Sequence, residues 1–201
     1  MWSPDGKWIA YGSDSEGKAA QGWKVEVEGG AAQPWIEGPG VNWNPAWSRD
    51  GRWMYWSSNR TGSYEIWRMP AGGGAAERLT RNGGGNMQET RDGKQLIYIK
   101  KAEVPGIYAM PAGGGAERQL VGDTVIRNAF DVTERGVYYI TGRDEELCDL
   151  KLYEFGTGKT RVIGTIERPV AFGLTVSPDE RVFFYSRPVT GGDLVLIEGW
   201  R

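Results

Sequence analysis

Pro45 to Thr80 reads PAWSRDGRWMYWSSNRTGSYEIWRMPAGGGAAERLT, and how this stretch is parsed decides the fold. Ser48-Arg49-Asp50-Gly51 is a turn signal. An aspartate side chain accepts from backbone amides two residues on, and glycine supplies the positive φ of a tight hairpin. RWMYW (52–56) follows, an aromatic run too short for a helix and suited to a strand packed on both faces. After the polar SSNRTGS (57–63) comes YEIWRM (64–69), whose alternation at period two marks another strand. A glycine-rich turn leads to the brief ERLT (77–80), and NPAWS (44–48) enters the motif from the other side. The stretch therefore holds four short strands.

The same order returns along the chain. The motif recurs as Ser3-Pro4-Asp5-Gly6, Thr90-Arg91-Asp92-Gly93, Thr133-Glu134-Arg135-Gly136 and Ser177-Pro178-Asp179-Glu180. Its first residues stand at 3, 48, 90, 133 and 177, so the spacings are 45, 42, 43 and 44 residues. Each copy is followed by an aromatic or β-branched run (KWIAY, KQLIY, VYYI, RVFFY) and then by an alternating segment (WKVEV, GIYAM, LKLYEF, DLVLIE). Four short strands per period make one propeller blade. The expected fold is all-β: a β-propeller of about five four-stranded blades, at roughly 1–40, 41–82, 83–124, 125–168 and 169–201, the first and last incomplete. Asp144 to Phe155 could open a helix, since Asp-Glu-Glu precedes leucines, but its phase in the repeat predicts a strand.

Two glycine runs invite a phosphate-loop interpretation. MPAGGGA occurs at 69–75 and 110–116, in both cases between the third and fourth strands of a blade, where a turn is needed and no helix follows. Gly156-Thr157-Gly158-Lys159-Thr160 ends like a nucleotide-binding loop, but Tyr153 stands where the first glycine belongs, and the segment fills a hairpin slot. Both are read as turns.

The unit Pro45–Thr80 resembles the WD40-like propeller repeat of TolB-type proteins, often called PD40, and the resemblance runs over essentially the whole chain. It implies the propeller fold and favours a periplasmic setting. For function it spans Tol-system scaffolds, propellers of oligopeptidases, and sensory or regulatory proteins. The closing DLVLIEGWR is similar to the last blade of bacterial multidomain proteins in which a propeller follows a DNA-binding or kinase domain. The chain departs from the pattern at Glu89, where Trp or Phe is usual, and at Glu134-Arg135, which replaces Pro-Asp; less regular blades are expected at both places.

By the phase of the repeat, the chain opens inside the innermost strand of blade one, at Met1-Trp2, and closes on the third strand of blade five. A C-terminal piece of a six- or seven-bladed propeller is expected. An open arc and a ring completed by a second chain are the alternatives, and bare aromatic faces at the incomplete ends would drive self-association.

Composition excludes several chemistries. The 24 basic and 26 acidic residues are interspersed, with no basic stripe for nucleic acid. No apolar run approaches the ~18 residues of a membrane span, and MWSPDGKWIA has no signal-peptide pattern. Cys148 is the only cysteine, which removes an internal disulfide and a thiolate zinc cluster. There is no histidine, which removes Ser-His-Asp and Cys-His catalysis and His-ligated zinc. Asp14-Glu16 and Asp144-Glu145-Glu146 lack calcium-loop spacing and read as solvated charge. No carboxylate pair is singled out for glycoside hydrolysis. Neither cofactor nor metal is implied.

What remains is binding. In propellers the loops from the outer strand to the next blade, here 37–44, 81–88, 122–129 and 164–171, usually share a face with those joining the second and third strands. Trp43, Asn44, Arg60, Asn86, Met87, Arg127, Asn128 and Arg168 are then the candidate partner-binding residues, converging at the channel mouth. Exposed aromatic, Met and Arg residues are the usual anchors of interfaces. For each residue the alternative is an ordinary solvated loop with a structural Asn turn. Trp8, Trp47, Trp53, Trp56 and Trp67 read as inter-blade core. The expected function is a non-catalytic module for a protein or peptide partner within a larger protein. The rivals are an oligopeptidase propeller whose catalytic domain lies elsewhere and, last, a glycan- or metal-dependent enzyme built on the propeller itself.

Overall fold

A computed structural model describes residues 1–14, 19–100, 104–187 and 196–197. All regular structure among them is β, in five antiparallel sheets. The first holds β1 (Trp8–Ser13), β2 (Gln21–Glu26) and β3 (Gln33–Ile36), with Trp2 bridging to Ile9. The second holds β4 (Asn42–Trp47), β5 (Trp53–Ser58), β6 (Glu65–Pro70) and β7 (Glu77–Arg78) in that order. The third holds β8 (Gly85–Glu89), β9 (Gln95–Ile99), β10 (Ile107–Pro111) and β11 (Arg118–Val121). The fourth holds β12 (Val125–Val132), β13 (Gly136–Gly142), β14 (Leu147–Glu154) and β15 (Lys159–Glu167). The fifth holds β16 (Leu174–Val176), β17 (Phe183–Tyr185) and β18 (Leu196–Ile197). The segment with helix-like Asp-Glu-Glu is strand β14, and both MPAGGGA runs are hairpin turns, closed by Gly73 N–H on Pro70 O and Gly114 N–H on Pro111 O.

Contacts divide the chain into two compact units, Met1–Glu103 with Ala109–Glu117, and Val104–Tyr108 with Arg118–Arg201. Each is held by sheets packed face to face. In the first, Ala10 and Ile36 of the first sheet meet Met54, Trp56 and Met69 of the second, while Trp35, Trp47 and Trp67 pack around them half-exposed. Trp56 is thus the fully buried member of the predicted tryptophan core. Trp8 and Trp53 sit at its border under cations, Lys24 at 4.6 Å and Arg68 at 4.2 Å. In the second unit Tyr138, Ile140, Leu150 and Leu152 of the fourth sheet meet Leu174, Val176, Phe183 and Tyr185 of the fifth. Full burial of one such side chain contributes about 1.5–3 kcal/mol, so these faces dominate stability.

The recurring motif makes the turn between the first two strands of its sheet. Ser48 Oγ donates to Asp50 Oδ1 at 2.6 Å and accepts from the Trp53 amide at 2.9 Å. Asp50 Oδ1 also accepts from the Arg52 amide, and Gly51, at φ 71°, returns its amide to Ser48 O. The same bonds recur at Ser3-Asp5-Trp8, Thr90-Asp92-Gln95 and Ser177-Asp179-Val182. The corner thereby satisfies its hydroxyl and the first amide of the following strand from within the chain.

The two expected irregularities resolve differently. Thr133–Gly136 is a shortened corner closed by Thr133 N–H on Gly136 O, and a Cβ on Gly136 would stand 1.9 Å from Tyr153 O, so only glycine fits. Glu89, in contrast, keeps its own pairing, opposite Leu96 in β9. Its buried carboxylate accepts from the Arg49 amide at 2.5 Å and from Tyr55 Oη at 2.9 Å, which replaces aromatic packing by a polar clasp to the second sheet. Asp131 does the same in the second unit, accepting from the Val176 amide at 2.7 Å. Glu180 takes the left-handed place of the motif glycine (φ 58°), and its carboxylate accepts from Tyr138 Oη at 2.8 Å.

The Ser48 hydroxyl and then the Arg52 amide hold the Asp50 carboxyl down at about 2. Asp5, Asp92 and Asp179 are lowered for the same reason, each first by its Ser or Thr hydroxyl. A depressed folded value means stabilisation that is complete above the ordinary carboxyl pKa of ~3.9 and lost as pH falls through the folded value. Urea midpoints should therefore decline from about pH 4 toward pH 2, and Asp50→Asn should flatten that decline. Burial pushes Glu89 the other way, so Glu89→Gln should remove a loss of stability that sets in as pH rises above its ordinary value of 4.5.

Candidate functional site

Three of the candidate residues share one backbone feature. Asn44, Asn86 and Asn128 have φ of 54°, 42° and 66°, the left-handed region that asparagine tolerates better than other side chains. Each sits where the inner strand slips register against its neighbour: between Trp43 and Ala46, between Gly85 and Met87, and between Val125 and Phe130. These are β-bulges, which re-aim side chains at strand ends. Gly173, at φ 70°, holds the same place before the fifth motif. The segments read as loops are therefore partly strand: Trp43, Asn44, Asn86, Met87, Arg127 and Asn128 all lie within β4, β8 or β12. A backbone requirement explains the recurrence of asparagine. It does not use the amides, and among the described residues none of the three side chains has a hydrogen-bond partner. Asn44 is exposed, and Asn86 and Asn128 are partly so.

The remaining candidates of the first unit are Trp43, Met87 and Arg60. Trp43 lies half-buried across Gly12, where a Cβ would come within 2.6 Å of its ring. Met87 is a correction: it is only 4 % exposed and belongs to the core, because the bulge after Gly85 turns it inward. Arg60, partly exposed, is oriented by contacts within its own unit. Its guanidinium stands over Trp56 at 5.4 Å and Trp67 at 4.9 Å, donates from Nη2 to Asn42 Oδ1 at 2.9 Å, and from Nε to Ser58 Oγ at 3.1 Å. Burial lowers its pKa. Asn42, fully buried, also accepts from Trp56 Nε1 at 3.2 Å and donates to Gln21 Oε1 at 3.0 Å. A single side chain thus joins β4, β5 and β2.

One polar centre beside this network was missed by sequence reasoning. Glu65, 1 % exposed at the start of β6, accepts from Thr80 Oγ1 at 2.6 Å and from the Gly83 amide at 3.2 Å. It moors the segment that leads into β8. Nothing in the alternation of YEIWRM marks that glutamate as buried, since a polar residue at a strand start normally faces water.

In the second unit, Arg168 follows β15 and is exposed. Its amide donates to Glu146 O at 2.7 Å and its Nε to Leu147 O at 3.3 Å, so it closes the loop that precedes β14. Asp144 accepts from the Glu146 and Leu147 amides of that loop at 2.9 and 2.8 Å, a turn role in place of a metal-ligating one. The Glu16 of the other acidic cluster and the side chain of Arg127 lie outside the described residues. Cys148 is buried, and burial raises its thiol pKa, which disfavours the thiolate a nucleophile needs. Gly158, at φ 66° with its amide on Glu154 O, completes the hairpin between β14 and β15, so Lys159 opens a strand and no helix.

The family model of the TolB beta propeller domain, PD40, matches residues 1–122. The chain belongs to the TolB beta propeller family. Its fold is similar to TolB from Acinetobacter baumannii, with a TM-score of 0.79 at 21 % identity, over 94 % of this chain and 48 % of that one. It is similar again to a puromycin-hydrolyzing peptidase from Mycobacterium tuberculosis, with a TM-score of 0.66 at 15 % identity, over 92 % of this chain and 32 % of that one. Among curated proteins, the uncharacterized protein Atu1656 of Agrobacterium fabrum is 35 % identical over 100 residues, which are 49 % of this chain and 34 % of the relative. The chain thus spans about half of the TolB structure, and the match to Atu1656 about a third of that protein. No helix among the described residues is long and apolar enough to cross a membrane.

Removing the Asn42 side chain would leave Trp56 Nε1 buried without an acceptor and Arg60 without its main partner. Asn42→Ala should cost about 1–3 kcal/mol in urea unfolding followed by tryptophan fluorescence. Arg60→Lys keeps the charge but not the flat face over Trp56 and Trp67, and should cost less than half as much.

Proposed function

We propose that this chain is a non-catalytic propeller module of a larger TolB-like or regulatory protein, and that it takes a protein or peptide partner through the asparagine-bearing bulges of its inner strands. The supporting observation is the set of amides on Asn44, Asn86 and Asn128, presented by a repeated backbone feature and without partners among the described residues. Amide groups that can both donate and accept suit a peptide backbone. Trp43 beside Asn44 adds an aromatic surface of the kind enriched at interfaces. Chemistry on the propeller itself is disfavoured by how its buried and partly buried carboxylates are bonded. Glu65, Glu89 and Asp131 each accept backbone amides of neighbouring segments and so hold the fold. The periplasm is the compartment in keeping with the TolB family.

Asn→Gly at 44, 86 and 128 keeps the left-handed backbone while deleting the amides. The triple variant should unfold at the same urea concentration as the parent yet lose partner capture in crosslinking of the full-length protein. Undiminished capture would remove the bulges from the interface.

A second reading has one observation in its favour, the coverage of 92 % of this chain on a third of a puromycin-hydrolyzing peptidase. In it the chain is the propeller of a serine oligopeptidase-type enzyme and admits substrate to a catalytic domain elsewhere in the polypeptide. Sequencing the gene on both sides of the propeller decides it: an in-frame hydrolase domain would establish this reading.

A further inference from the structure

Within the first unit a cleft of about 510 Å³ opens between the segment 77–82 and the turn after β10. Its segment 77–82 runs from the outer strand β7 toward the bulge at Asn86. Its apolar floor is Leu79 and Met110, and its far wall is the backbone of Gly113, Gly114 and Gly115. That wall is fixed in place, since Ala112 O accepts from Arg68 Nη1 at 3.2 Å and from Tyr55 Oη at 3.3 Å. It also comes close to the floor: a Cβ on Gly114 would stand 3.2 Å from Leu79 Cδ2. Gly114 therefore does more than turn the chain, because a side chain there would narrow the cleft.

The charge of the lining is one-sided. Glu77 is engaged by Arg68 Nε, and Glu117 by Lys100 Nζ and Tyr98 Oη, each at 2.5 Å. Both carboxylates are therefore neutralised by cations from their own sheets. The side chains of Arg78 and Arg81, in contrast, have neither a hydrogen bond nor an ion pair among the described residues, and both line the cleft. Two guanidinium groups are left uncompensated over an apolar floor. Beside them β7 is the outer strand of its sheet, hydrogen-bonded on one side by β6 and free on the other.

We infer that this cleft binds an extended acidic peptide segment of a partner protein. Arg78 and Arg81 fork onto Asp or Glu side chains, apolar residues of the segment lie on Leu79, and its backbone runs beside the open edge of β7. Free phosphate would satisfy the arginines but needs neither the apolar floor nor the strand edge. The inference rests on the proposed role as a protein- or peptide-binding module and adds a second contact with its own chemistry.

The test is fluorescence anisotropy with a short fluorescein-labelled peptide of mixed Glu, Asp and Leu, at low ionic strength, against the whole chain. Arg78→Gln with Arg81→Gln should weaken binding roughly tenfold, and added salt should weaken binding to the parent. Arg78→Lys with Arg81→Lys should lose only part of that affinity. Both arginines are at least partly exposed, so urea midpoints should not move. Equal binding of a Gln/Asn version of the peptide, or an unaffected double Gln variant, overturns the inference. So does inorganic pyrophosphate that binds more tightly than the peptide. If the acidic peptide fails to bind while the full-length protein still captures a partner, the cleft falls and the binding-module reading stands. Retained peptide binding in the triple Asn→Gly variant supports two separate contacts.

Discussion

A hydroxyl that donates to an aspartate and accepts from the first amide of the following strand is the constraint on which this structure is built. At Ser48, Asp50 and Trp53 these bonds, with the left-handed Gly51, reverse the chain within four residues and set which residue begins the next strand. In a strand the side chains alternate between faces, so a slip of one residue would expose the whole buried set. The corner therefore decides that Met54 and Trp56 face one neighbouring sheet and Tyr55 the other. Where the aspartate is absent, at Thr133–Gly136, the chain shortens the corner and requires a glycine against Tyr153 O.

Between the sheets, apolar packing supplies most of the energy and a few buried or partly buried carboxylates supply the specificity. Glu89 and Asp131 each reach a backbone amide of an adjacent sheet, and Glu65 moors a connecting segment. An ionisable group in such a place is favourable only while every oxygen is hydrogen-bonded, which ties each sheet to a single placement against its neighbour. Among the described residues, the side-chain amides at the bulges and the guanidinium pair beside β7 are without such partners, and these are the groups proposed to meet a partner.

Much of the fold was legible because the repeat restates it five times, so turn residues and alternation could be checked copy against copy. Strand β14 emerged from its phase in the repeat despite a helix-like start, and the MPAGGGA runs from their position between strands. The candidate site was less legible. Asn44, Asn86 and Asn128 were conspicuous in sequence, but their left-handed conformation depends on register slips against the next strand, which sequence spacing does not encode. Met87 was misplaced for the same reason, since a bulge decides whether a residue faces the core. For Arg60, no sequence pattern signalled its stacking over Trp56 and Trp67.

The amino-acid sequence by itself determined the strand order, the corners, the module and its period, since these follow from local turn chemistry and from alternation along one segment. Tertiary structure alone decided which polar groups are consumed and which are left over. Glu89 meets Tyr55 across 34 residues of chain, and Arg68 meets Ala112 across 44, and these partners are brought together only when whole sheets pack. Whether a charge is satisfied or available depends on that packing, and no local pattern carries the information.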